Sequence, residues 1–206
     1  VHALALSAVV ACSGGTPADK PAKDGQAKGA EAGKWETRDT LIIATQSDIG
    51  TLIPVKPRTQ SDNFIMSNLV VDTIDSDFDC SLKKKPGLAK SWEWSEDGKK
   101  VTLHLDDRYK WEDGVPVTAN DVKFSYELAS NPAVASPRID YLKYMKEGAN
   151  PRVVDDYTLE FEFTRAYDRD TQTAHVSLPA MPRHVLGEAD PATLEGHAFA
   201  KDPLVF

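Results

Sequence analysis

A chain of 206 residues has room for one or two domains, and a hydrophobic content of 41 % supplies enough apolar surface for a core. The formal net charge of −8 and pI near 5.1 exclude a broad electrostatic attraction to nucleic-acid phosphates or anionic lipid. No nucleic-acid partner is expected, and only a local basic patch stays open.

Residues 1–11, VHALALSAVVA, are apolar over the length of a signal-peptide core and too few to span a bilayer as a helix. They run into Cys12 through VVAC and continue as SGG. That pattern resembles the lipobox of bacterial lipoproteins, which implies acylation of the Cys12 thiol. No Met and no basic segment precede Val1, so the sequence is expected to begin inside the signal peptide. Residues 13–34 are rich in Gly, Ala, Pro, Lys and Asp and hold no large apolar side chain. Such a stretch cannot bury enough surface to offset its ordering entropy, and residues 12–34 are expected to form a lipid-anchored flexible tether. With Cys12 acylated, Cys80 has no partner and is expected to be a half-buried small hydrophobe.

The folded part is expected from about Trp35. TLIIATQ (40–46) is a continuous apolar run, as in a strand buried on both faces. A turn-rich loop of about fifteen residues follows, of a length that is often functional. Ser61 or Asp62 is suited to cap the next segment, a helix carrying Phe64, Ile65, Leu69 and Val70 at near-helical spacing. The acids Asp75, Asp77 and Asp79 alternate as in a calcium loop, but neither the central Gly nor a Glu at the twelfth position follows, so a solvated strand end is expected.

Two hairpins come next. AKSWEWS and KKVTLHLDD flank EDG, with Val101, Leu103 and Leu105 alternating against Thr102, His104 and Asp106. His104 therefore points to the polar face, and no second His or Cys stands at metal-ligand spacing. Trp92 and Trp94 share one strand face, which suits core packing better than a sugar-stacking platform with Trp111. In the second hairpin Asp155 and Asp156 form the turn, and Leu159, Phe161 and Phe163 line one face. Between the hairpins, Thr118 opens a capping box with Asp121, and Val122, Tyr126 and Ala129 fall on one helical stripe. Ser136 and Pro137 then start a helix that Gly148 would end, with Tyr141, Leu142 and Met145 towards the core.

The turn Glu112, Asp113, Gly114 invites a catalytic reading. A general acid/base pair needs carboxylates aimed at each other across a substrate, which adjacent turn residues do not achieve, whereas Asp before Gly is turn chemistry. It is expected to be scaffold. No nucleophile elbow, phosphate-binding glycine loop or paired CxxC occurs.

Residues 86–127, PGLAKSWEWSEDGKKVTLHLDDRYKWEDGVPVTANDVKFSYE, resemble the signature region of family 5 extracellular solute-binding proteins, the oligopeptide-, dipeptide- and nickel-binding receptors of ABC importers. The ordered set P-x-L-A-x-S-W, a D-G hairpin, T-x-H-L, W-x-D-G and P-V-T-A-x-D-V carries the likeness. TLIIATQSDIGTLIPV, VVDDYTLEFEF and MPRHVL extend it over residues 40–186. Asp106 stands where the family usually has Arg.

The resemblance implies a mixed α/β, type II periplasmic-binding-protein-like fold, present in part. Residues 35–62 would begin domain I, 63–165 would form the small extra domain, and 166–206 would re-enter domain I, the second lobe lying beyond the chain. It implies no enzyme, no cofactor and no metal. The expected protein is a monomeric, lipid-anchored receptor in the periplasm or on the outer face of the cell membrane, passing a peptide or other small solute to ABC permease subunits. Nickel chelates, opines and oligosaccharides remain open as solutes. In the family the loop after the first strand and the start of the Ser-Pro helix border the cleft, which makes Arg58, Thr59, Gln60 and Arg138 the candidate ligand contacts. The alternative from another class is a secreted hydrolase using Asp113 or Asp121 with His184.

Overall fold

The computed structural model describes residues 47–69, 73–78, 84–146 and 151–201. The expected signal segment, Cys12, the tether, the strand at 40–46, Val70, Asp79, Cys80 and Gly148 lie outside the described residues.

In chain order come α1 (Gln60–Leu69), β1 (Ile74–Phe78), β2 (Lys84–Pro86), β3 (Ala89–Trp94), β4 (Lys100–Leu105), α2 (Ala119–Ser130) and a 3-10 helix, Pro137–Leu142. There follow β5 (Arg152–Asp155), β6 (Thr158–Glu162), α3 (Arg169–His175), α4 (Arg183–Leu186), a second 3-10 helix, Pro191–Gly196, and α5 (Ala198–Lys201).

Both expected hairpins form, and β4 pairs with β6 to join them into one antiparallel sheet of order β3-β4-β6-β5. Facing pairs Val101–Phe161 and Leu103–Leu159 put the alternating apolar residues of both hairpins on one side, where all four are buried. Because side chains alternate along a strand, Thr102, His104 and Glu160 take the other side. There Glu160 binds both Lys100 and Arg152, at 3.1 and 3.3 Å, and His104 lies 3.5 Å from Glu93. The first hairpin closes at Gly98, whose φ of +66° is open to glycine at little cost. Trp92 and Trp94 are half-buried against the core.

Helix α2 serves two cores. Val122, Tyr126 and Ala129 pack with the sheet in one apolar cluster. Phe124 and Leu128 face a second cluster built from Ile53, Val55, Val134, Met181, Leu186, Leu194 and Phe199. The returning chain is laced along α2. Ser125 Oγ donates to the Pro179 carbonyl at 2.7 Å, Tyr126 Oη donates to the His175 carbonyl at 3.1 Å, and Asp121 Oδ1 accepts from the Arg183 amide at 3.0 Å. Asp121 Oδ2 closes the expected capping box on the Thr118 amide at 2.8 Å.

Two expectations are corrected. The segment after Ser136 is not a helix running to residue 148. It is a six-residue 3-10 helix, because Met145 bridges Phe163 and the Lys146 amide donates to the Glu162 carbonyl, drawing the chain out of helical geometry. Neither Ser61 nor Asp62 caps α1: Thr59 does, its Oγ1 accepting from the Asp62 amide at 3.0 Å while Asp62 Oδ2 accepts from the Thr59 amide at 2.9 Å, a capping box with Asp as its acid. On this helix Phe64 is 51 % exposed and Met66 is buried.

Asp106, next to the sheet's end, is held by Arg108 through Nε at 2.9 Å and Nη2 at 2.6 Å. Those side-chain bonds, then the Arg108 amide, lower its pKa from 3.8 to about 2. A folded-state pKa below the unfolded one stabilises the protein above the unfolded value, and that contribution is lost as pH falls through the folded one. A carbon NMR titration is expected to find the Asp106 midpoint near pH 2 and, in Arg108→Ala, to find it raised but still below the ordinary carboxylate value, because the backbone amide of residue 108 keeps its bond to Asp106. An unmoved midpoint in the variant would contradict this assignment.

Candidate functional site

The loop preceding α1 is folded around one carboxylate. Asp62 is 0 % exposed and accepts backbone N–H bonds from Gly50 at 2.7 Å, Arg58 at 2.9 Å and Thr59 at 2.9 Å. Burial pushes the Asp62 pKa up, and the amides of Arg58, Gly50 and Thr59 more than offset it, leaving the group below the usual carboxylate range. Both ends of the loop are thus drawn to a single anion, while its middle is anchored by Ile53 and Val55, buried in the second cluster. Ser136 Oγ donates to the Val55 carbonyl, which ties the loop to the start of the first 3-10 helix.

All four candidate contacts meet here. Arg58 and Gln60 are exposed, Thr59 and Arg138 half-buried. Asn63, one turn along α1 from Thr59, links them: its Nδ2 donates to the Thr59 carbonyl at 3.3 Å, and its Oδ1 accepts from Arg138 Nη2 at 2.9 Å. Sequence reasoning missed Asn63, and the spacing of four from Thr59 is the signal that was available.

The two arginines differ in their electrostatics. The Arg58 guanidinium is bound by Glu195 of the second 3-10 helix, which also holds Lys56 at 3.2 Å. Among the described residues the Arg138 guanidinium donates to neutral groups, the Asn63 amide oxygen and, at 3.1 Å, Tyr141 Oη. Its carbon Cζ stands 5.5 Å from the Tyr141 ring centroid, and its Nε is buried without a partner. Among the described residues Arg138 forms no ion pair. The Arg58 and Thr59 amides are bonded to Asp62 and are not free to donate to a ligand.

The hydrolase residues are also placed. His184 Nε2 lies 2.8 Å from Asp113 Oδ2, so this pair does meet. Asp121 instead serves the Thr118 and Arg183 amides. Asp113 Oδ1 also accepts from the Val115 amide at 2.9 Å, inside a turn whose Gly114 has φ +87°. The pair ties the turn to α4, and among the described residues no hydroxyl or thiol is hydrogen-bonded to His184. Among those residues, too, no three of His, Cys, Asp and Glu are grouped to hold a metal ion, and no helix is long and apolar enough to cross a membrane.

Residues 83–204 match the model of the bacterial extracellular solute-binding proteins, family 5 Middle. The chain belongs to that family. Among curated relatives, the periplasmic alpha-galactoside-binding protein of Rhizobium meliloti is 38 % identical over 53 % of this chain and 16 % of its own length. The periplasmic oligopeptide-binding protein OppA of Escherichia coli is 34 % identical over 60 % of this chain and 25 % of its own. The chain therefore spans a quarter or less of the length of these two relatives. Among solved structures, NikZ of Campylobacter jejuni in complex with Ni(L-His) superposes with TM-score 0.66 at 27 % identity, over 81 % of this chain and 31 % of that one. OppA of Haemophilus influenzae in complex with a peptide superposes with TM-score 0.63 at 24 % identity, over 75 % and 33 %. The described residues are thus part of a type II periplasmic-binding-protein fold of mixed α/β class.

Proposed function

We propose that this family 5 chain forms part of an ABC-importer receptor that captures peptides outside the cytoplasmic membrane and delivers them to the permease, anchored there by a lipid on Cys12. The observation that carries the reading is the family match together with the Asp62-centred loop, which stands beside a guanidinium that forms no ion pair among the described residues. In this reading Arg58, Thr59, Gln60 and Arg138 border the cleft. Peptide is favoured as the solute by the OppA relatives. An oligosaccharide is the second reading, favoured by the alpha-galactoside-binding relative.

Titration calorimetry of the full gene product with tripeptides and with raffinose separates the two. Micromolar heat with tripeptides alone is expected; heat with raffinose alone would overturn the peptide reading. For the anchor, the mature protein is expected in the detergent phase of a detergent–water partition and Cys12→Ser in the aqueous phase. Equal partitioning of the two would overturn the lipid on Cys12.

A further inference from the structure

In a chain of net charge −8, a local basic patch stands where residues 143–146 run beside the end of β6. Met145 bridges Phe163 and the Thr164 amide donates to the Tyr144 carbonyl at 3.0 Å, which fixes the two segments side by side. Their tyrosines meet edge-on, the Tyr144 and Tyr167 ring centroids 5.0 Å apart, and the His175 ring of α3 lies 4.5 Å from that of Tyr144. Each tyrosine carries a cation over its ring: Lys143 Nζ stands 5.4 Å from the Tyr144 centroid, and Arg165 Cζ 4.8 Å from that of Tyr167. The rings are half-buried and both cations exposed. A ring beneath a cation orients it without neutralising it. Lys143 has a single acid, Asp140, at 3.9 Å, and Arg165 forms no ion pair among the described residues. Of the flanking charges, Lys146 is paired with Glu162 at 3.0 Å, and Asp168 accepts from the Thr171 amide and hydroxyl at the start of α3.

Tyrosines with one apolar and one wet end suit the headgroup level of a bilayer, and cations beside them suit anionic headgroups. Resting on the receptor reading above, whose lipid on Cys12 holds the domain within reach of a bilayer, we infer that the surface made by Lys143, Tyr144, Tyr167 and Arg165 docks the receptor onto an anionic membrane. The negative charge of the rest of the chain is repelled by such a membrane and turns this patch towards it. Two cations, each strengthening attachment about fivefold, bind weakly from free solution. For a domain already anchored that suffices, because tethering raises its effective concentration to roughly millimolar.

The test is sedimentation of the full gene product carrying Cys12→Ser, and so without the anchor, with vesicles of phosphatidylglycerol and with vesicles of phosphatidylcholine. Attachment to the anionic vesicles is expected to be about tenfold stronger or more at low salt and to fade at high salt. Lys143→Gln and Arg165→Gln should each weaken it about fivefold. Arg152→Gln removes the same charge from the other side of the sheet, where Arg152 pairs with Glu160, and should change it by less than about twofold. Equal attachment to the two compositions, or none to either, would overturn the inference, a comparison that needs no further variant to fold. It would leave the lipid on Cys12 standing, since the detergent partition tests that reading separately. A fivefold loss in Arg152→Gln as well would trace the attraction to overall charge and overturn the patch. Attachment to neutral vesicles only when they carry permease subunits would make the occupant a protein and overturn the inference too.

Discussion

Replacing Asp62 with alanine is expected to destabilise the protein by about 3 kcal/mol, since buried donors left without an acceptor cost roughly 1–3 kcal/mol each and partial rehydration recovers some of that. Three amides lose their acceptor at once, those of Gly50, Arg58 and Thr59. The α1 capping box goes with them. Asn at this position keeps the shape but offers one oxygen where two now accept, and turns an N–H₂ group towards N–H donors, so its loss should fall only slightly short of alanine's. The Asp62 pKa is lower in the folded than in the unfolded state. Its stabilisation is therefore complete above the ordinary value of 3.8 and fades as pH falls through the folded value below it. Urea unfolding at neutral pH reads the effect; a change under about 0.5 kcal/mol, the range of ordinary surface substitutions, would show that the loop does not depend on this carboxylate.

The second large effect is expected at Tyr126. It is fully buried, its ring meets Phe161 edge-on with centroids 5.1 Å apart, and its hydroxyl bonds the His175 carbonyl. Truncation of a buried aromatic to alanine costs about 3–5 kcal/mol, and Tyr126→Ala is expected near the middle of that range. Tyr126→Phe removes only the hydroxyl and should cost about 1 kcal/mol. Hydrogen exchange adds a positional readout: in Tyr126→Phe the Leu178 amide, 3.4 Å from the hydroxyl, should lose protection while the β4 amides keep theirs. Equal losses for the two variants would mean that the hydroxyl, not the ring, carries the site.

What the sequence disclosed and what it hid divide along chain distance. The Thr118–Asp121 capping box, both hairpin turns and the buried faces of β4 and β6 are local patterns, legible because their partners lie within a few residues or alternate with period two. The pairing of β4 with β6 joins residues about sixty apart, such as Leu103 and Leu159, and no local pattern encodes it. The same holds at the candidate site. Asp62 was legible as a helix-start residue, yet its bond to Gly50 spans twelve positions, and the bond from Arg138 to Asn63 spans seventy-five. Phe64 fits the near-helical apolar spacing yet stands exposed, because periodicity gives a face and not what covers it. Arg58 and Arg138 are equivalent as letters; only the fold, by bringing Glu195 to one and Asn63 to the other, tells them apart.

The most direct measurement is mass spectrometry of whatever small molecule accompanies the full gene product through purification without denaturant. Short peptides with a free C-terminal carboxylate are expected. A nickel chelate or an oligosaccharide in their place, or a protein that emerges empty and then takes up no tripeptide, would contradict it.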